Sequence, residues 1–124
     1  MRALAVMLAL LLAGAAAAEE AAPEEWVPRR VAALQTLDKV TARVSVIQAE
    51  VGRPASFGTL SILVRRCDAR PPDEVPDAAV FLEISDSRQP AGAPPVFRGW
   101  MFANAPGVSM LEHPVYDVRV LDCH

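Results

Sequence analysis

The stretch that decides the fold is Pro95-Val-Phe-Arg-Gly-Trp-Met-Phe-Ala-Asn-Ala-Pro-Gly-Val-Ser-Met-Leu-Glu-His-Pro-Val-Tyr-Asp-Val-Arg-Val-Leu-Asp-Cys-His124. In an extended chain Val96, Trp100 and Phe102 point to one side and Phe97 and Met101 to the other, so residues 96–103 read as a strand apolar on both faces. Such a strand is usually central, or covered on both sides. Residues 104–107 end it, residues 108–113 could form one helical turn, and Pro114 stops that turn. Tyr116, Val118 and Val120 then alternate with Asp117 and Arg119, which predicts a final strand with one buried face.

Upstream, the same two-residue period recurs. Residues 31–37 are ambiguous, since their alanines suit a helix as well as a strand. Asp38-Lys39 reads as a turn, after which Val40, Ala42, Val44 and Val46 alternate with Thr41, Arg43 and Ser45. That pattern predicts a strand with the valines buried, paired with the preceding segment as an opening hairpin that lacks the usual turn glycine. Leu60, Ile62 and Val64 mark a third strand, and Val80, Leu82 and Ile84 a fourth, with Glu83 facing out beside Phe81. The proline-rich segments 68–77 and 87–94 can form neither ladder nor helix and are read as exposed loops.

The first eighteen residues have the plan of a secretory leader: a basic start at Met1-Arg2, an apolar run over 3–13, and the small residues Ala16-Ala17-Ala18 before Glu19. A signal-peptide helix over 1–18 is therefore expected, with an uncleaved membrane anchor as the alternative. Residues 19–30, acidic and then basic with two prolines, read as a flexible N-terminal arm. The single β domain is expected over 31–124. Cleavage after Ala18 leaves 106 residues with 11 basic and 15 acidic side chains. A mildly acidic product of that size suits one domain in the periplasm and is a poor match for nucleic acid or anionic lipid. No stable membrane insertion is expected once the leader is removed.

Two cysteines remain, Cys67 and Cys123. In an oxidising compartment an even pair reads as one disulfide. A redox-active pair is the alternative, but there is no Cys-x-x-Cys spacing to activate a thiol. Each cysteine ends a strand, in the phase opposite to that strand's apolar side chains. Joining them directly requires the third and last strands to run the same way, which a simple meander forbids. The twelve-residue excursion over 104–115 can reverse the direction. The expected architecture is a small all-β sandwich or partly open barrel, antiparallel-rich, of about six strands with one crossover.

The segments Phe57-Gly-Thr-Leu60, Arg66-Cys67, Phe81-Leu-Glu-Ile84, Gly99-Trp-Met-Phe-Ala103 and Leu111-Glu-His-Pro-Val-Tyr-Asp-Val118, with Cys123, together resemble one bacterial family. It is the domain-of-unknown-function family numbered 2155, found mainly in alphaproteobacteria, and the resemblance runs from about residue 34 to residue 123. At Arg119 that family more often carries an aromatic. The resemblance implies an exported domain and brings no activity with it. Genes of the family lie near one for an accessory subunit of respiratory complex I, which points to an envelope or respiratory-complex role.

For chemistry, Met110 and His113 lie three apart, and Met101 could join them; soft sulfur with imidazole suits copper in an exported protein. The plainer reading makes His113 a packed or capping histidine and the methionines core filler. No Gly-x-Ser-x-Gly is present, and Cys123-His124 would point to opposite sides of a strand. Glu83, Glu112 and Asp117 show no spacing that brings them together. Eleven of the twelve basic residues are arginine, and Arg65-Arg66 straddles a strand end. The expectation is a non-enzymatic domain without cofactor that binds a protein partner, through a surface containing Trp100, His113, Tyr116, Arg65 and Arg66. Trp26 and Phe97 are further candidates for exposed aromatics. The alternative is a small-ligand or copper-binding module.

Overall fold

The computed structural model describes residues 25–124, so the expected leader helix and the first part of the arm lie outside the described residues. Among the described residues there are eight strands and no helix: β1 (Val27–Pro28), β2 (Val31–Asp38), β3 (Arg43–Glu50), β4 (Ala55–Phe57), β5 (Leu60–Ala69), β6 (Ala78–Asp86), β7 (Phe97–Phe102) and β8 (Tyr116–Cys123). The larger sheet has the order β1-β5-β6-β7, with β4 also on β5, and the smaller has the order β3-β2-β8. Every pairing is antiparallel. The predicted crossover is present: after β7 in the larger sheet the chain passes to the smaller, where β8 lies beside β2.

The core lies between the sheets. Leu34 and Val120 from one sheet meet Ile62, Val64, Val80, Leu82 and Ile84 from the other, all with essentially no exposure. Burying each such side chain stabilises the fold by about 1.5–3 kcal/mol. Thr36, equally buried, directs its hydroxyl to the Ser45 carbonyl at 3.2 Å and so leaves no stranded donor. Cys67 and Cys123 are joined, with Cα atoms 5.6 Å apart, and tie the end of β5 to the end of β8 across the two sheets.

Both cysteines face the core rather than away from it. The reason is a bulge in each strand: Arg65 is the extra residue between Val64 and Arg66 on β5, and Leu121 the extra residue opposite the Ala33–Leu34 step of β2. An extra residue reverses which way every later side chain points. The opposite phase that sets the cysteines apart in the sequence is thus the signature of two bulges.

The valines of the opening hairpin also differ from expectation. β3 begins at Arg43, so Val40 and Ala42 belong to the turn, and Val44 and Val46 are exposed. The inward set is Ile47 and Ala49, opposite Leu34 and Ala32, while Ser45 in the same phase is exposed near the hairpin end. Ile47 and Ala49 fix the register, and a shift of one residue would turn them outward. At the turn, the Asp38 carboxylate accepts the N–H groups of Val40 and Thr41, and Ala42 takes the left-handed conformation at φ 56° that a glycine would fill without strain. We expect Ala42→Gly to raise stability by about 0.5–1 kcal/mol, read as a higher urea midpoint with an unchanged slope. A lower midpoint would show that the turn is held by something other than this backbone preference.

Candidate functional site

The outer face of the larger sheet gathers Phe81, Trp100 and Phe102, aromatic side chains that do not pack against the core, together with Arg65, Arg66 and Arg98. Register places Asp68, Ala79 and Phe102 in one row across β5, β6 and β7, then Arg66, Phe81 and Trp100, then Leu63, Glu83 and Arg98. The Phe81 and Trp100 rings meet edge-on with centroids 5.4 Å apart. β7 ends the sheet, so of the two settings expected for a strand apolar on both faces, central or covered on both sides, it does not have the first. Neighbouring rings and arginine stems cover its outer apolar residues in part, and Trp100 remains exposed.

The charges on this face are layered by depth. Glu83 holds two guanidinium groups, one on each carboxylate oxygen, from Arg65 and Arg98 at 3.2 Å each. Arg66 reaches Asp68 at 3.0 Å. The arginine side chains are 55–67% exposed, whereas those of Glu83 and Asp68 are 19% and 8% exposed. Arg66 and Arg98 also lie 6.0 Å over the rings of Trp100 and Phe81. A partner approaching this face meets guanidinium edges and aromatic rings before it meets any carboxylate.

At the cysteine end of the face lies a hollow of about 230 Å³ lined by Trp26, Asp68, Ala79, Trp100 and Phe102. Its floor is low because Ala79 has only a methyl group where its neighbours carry rings. Trp26 is brought there by β1, which pairs Val27 with Ala69, and its ring is covered by the Arg70 guanidinium at 4.2 Å. Both tryptophans of the chain thus line one recess. The sequence singled out Trp100, Arg65 and Arg66 but missed Phe81, Arg98 and Phe102 as members of the same group. Their signal was the shared parity of Phe81 with Glu83 and of Arg98 with Trp100 and Phe102, read across strands instead of along one.

His113 and Tyr116 lie elsewhere, mostly inside. His113 Nδ1 accepts the N–H groups of Val115 and Tyr116 at 3.0 and 3.1 Å, so the ring proton is on Nε2, which donates to Asp86 at 2.7 Å. Tyr116 packs edge-on against Phe57 and beside the His113 ring. The His113 bond, the Arg88 N–H and the Thr59 hydroxyl, whose own geometry falls short of a full hydrogen bond, hold the Asp86 carboxyl down at about 2, from an ordinary 3.8. A group depressed in the folded state stabilises it above the unfolded value and loses that contribution as pH falls through the folded value. Stability should therefore drop between about pH 3.8 and about pH 2. Asp86→Asn should be less stable at neutral pH and show a smaller drop across that interval. An unchanged acid profile in the variant would remove Asp86 as the cause.

The remaining candidates are dispersed. Met101 is buried and Met110 exposed, and they share a small cavity of about 70 Å³ between β7 and β8 that does not include His113. With Nδ1 bonded to two backbone N–H groups and Nε2 to Asp86, both nitrogens of His113 are used inside the protein and it does not join the two methionines. Among the described residues no three His, Cys, Asp or Glu side chains form a group that could hold a metal ion. Phe97 packs against the core and is not an exposed aromatic.

Over 87 residues the chain is 26% identical to an uncharacterised protein of Rickettsia prowazekii (strain Madrid E), a match that covers 70% of the chain and 56% of that relative. The chain thus spans little more than half of the relative's length. No solved structure matches it. The profile of a family described as an uncharacterised protein conserved in bacteria, DUF2155, matches residues 32–123, which takes in every long strand and both cysteines. The chain belongs to the DUF2155 family.

Proposed function

We propose that this chain is an exported, non-enzymatic β domain that binds a protein partner in the bacterial envelope through the outer face of its larger sheet. The observation that carries the reading is the convergence of both tryptophans, Phe81, Phe102 and three exposed arginines on one face. Tryptophan and arginine are the residues most enriched among those that dominate binding energy at protein interfaces. Export is supported by the leader pattern in the sequence and by the disulfide, which persists in oxidising compartments. Among the described residues no helix is long and apolar enough to cross a membrane. The role is that of an accessory to an envelope assembly, a respiratory complex among them.

A photo-crosslinking residue placed at Ser85, exposed on the same face of β6 as Phe81 and Glu83, should in the native host give a defined adduct with one protein, and the same residue at Val46, on the outer face of the smaller sheet, should give none. Trp100→Ala should lower the yield of that adduct at least about tenfold. Equal yields from the two faces, or no adduct from Ser85 under any growth condition tried, would remove this reading.

A further inference from the structure

The layered charges identify the chemistry of the partner, on the premise that the face just described is the binding surface. We infer that it takes a short acidic protein segment with one apolar anchor, the anchor seated over Ala79 and the flanking carboxylates on Arg66, Arg98 and Arg65. Three guanidinium groups stand over two carboxylates, and the two carboxylates lie below them. Each guanidinium has five N–H donors in a planar fork and touches a single carboxylate oxygen of this chain. Outward-facing donors remain in the geometry that carboxylates fill two bonds at a time.

The anchor follows from the hollow. Its walls are Trp26 on one side and Trp100 and Phe102 on the other, and its volume of about 230 Å³ exceeds that of a leucine or phenylalanine side chain. Asp68 at its edge is already engaged by Arg66 at 3.0 Å, so a cationic side chain entering there would face the Arg66 and Arg70 guanidinium groups as well. An apolar side chain meets no such opposition.

A nucleic acid would also bring anions and flat rings to arginine and tryptophan. It is disfavoured because the whole chain carries a net charge of −3, so a long polyanion meets a repulsive field beyond the immediate face. A few carboxylates delivered at contact distance interact chiefly with groups inside the screening length of about 8–10 Å, where the three guanidinium groups outnumber Glu83 and Asp68 and lie above them.

The test titrates the protein, expressed from its whole sequence and purified from cells, with three probes. These are a synthetic peptide of four glutamates flanking a central leucine, the same peptide with glutamines for the glutamates, and an oligothymidylate of similar length. Tryptophan fluorescence reports binding directly, since both tryptophans line the hollow. The acidic peptide should bind with sub-millimolar affinity, more weakly by at least about tenfold to the Arg66→Ala, Arg98→Ala double variant, and progressively less as salt rises from about 50 to about 500 mM. Leu→Ser in the peptide should weaken it comparably, and Arg119→Ala on the other sheet should change nothing. The salt series on the unaltered protein stands by itself should the double variant fold poorly. Equal binding of the glutamine peptide, or no binding of any probe, would overturn the acidic-segment inference. The crosslink from Ser85 would still decide whether the face binds a protein at all. Tighter binding of the oligothymidylate than of the acidic peptide would replace the inferred partner with single-stranded nucleic acid.

Discussion

Replacing Cys67 and Cys123 together by alanine is expected to lower the unfolding free energy by about 4 kcal/mol and to leave most of the protein unfolded at 37 °C. The magnitude comes from loop closure. The bond joins positions 56 residues apart, so its loss returns a large set of extended conformations to the unfolded chain. A second contribution is local: both sulfurs are buried, and two alanines leave a void where the sheets meet. Urea denaturation of the variant, beside the unaltered protein before and after reduction, checks both parts. Reduction alone should reproduce most of the effect. A fall of less than about 1 kcal/mol would mean that the rest of the core holds the sheets together unaided.

The second large effect is expected at Gly58. This residue has φ 55°, and a Cβ there would lie 2.5 Å from Cζ and 2.9 Å from Cε1 of Tyr116. Gly58→Ala should therefore destabilise by about 2–4 kcal/mol, of which roughly 1 kcal/mol is backbone and the rest overlap with a ring that cannot swing away. The ring is confined by Phe57 on one side and His113 on the other. In a Tyr116→Ala background the same substitution should cost only the backbone part, about 1 kcal/mol. Full additivity of the two substitutions would show that the clash is not what matters.

These expectations also show which parts of the fold could be read from the residues in advance. Alternation at Leu60, Ile62 and Val64, and at Val80, Leu82 and Ile84, is strict, and those strands lie where the pattern put them with those faces buried. The Cys67–Cys123 bond was legible from the even cysteine pair and the crossover from the chain direction that the bond requires, and both are present. The bulges at Arg65 and Leu121 were visible only as an unexplained change of phase, because a period-two pattern cannot say where an extra residue sits. Val44 and Val46 misled because both faces of that strand offer apolar residues. The choice was made by Ile47 and Ala49, which lie beyond the clearest alternation.

The candidate site was legible only in fragments for a related reason. Trp100, Arg65 and Arg66 stand out by type, but Phe81, Arg98 and Trp26 join them through strand register and through the pairing of β1 with β5, neither of which is a property of one segment. His113 and Tyr116 were drawn into the expected surface by their rarity and their neighbourhood in the chain. Residue 113 is instead fixed by two backbone donors and a carboxylate, which together satisfy the ring inside the protein.

The placement of β8 next to β2 sets a schedule for biogenesis. A chain made from its N-terminus displays the apolar side of the β2–β3 hairpin until residues 116–123 have been translated. At about 5–20 residues per second, the 56-residue interval between the two sulfurs lasts roughly 3–11 s. Throughout that time the half-made protein depends on whatever shields the open edge of β2 from aggregation.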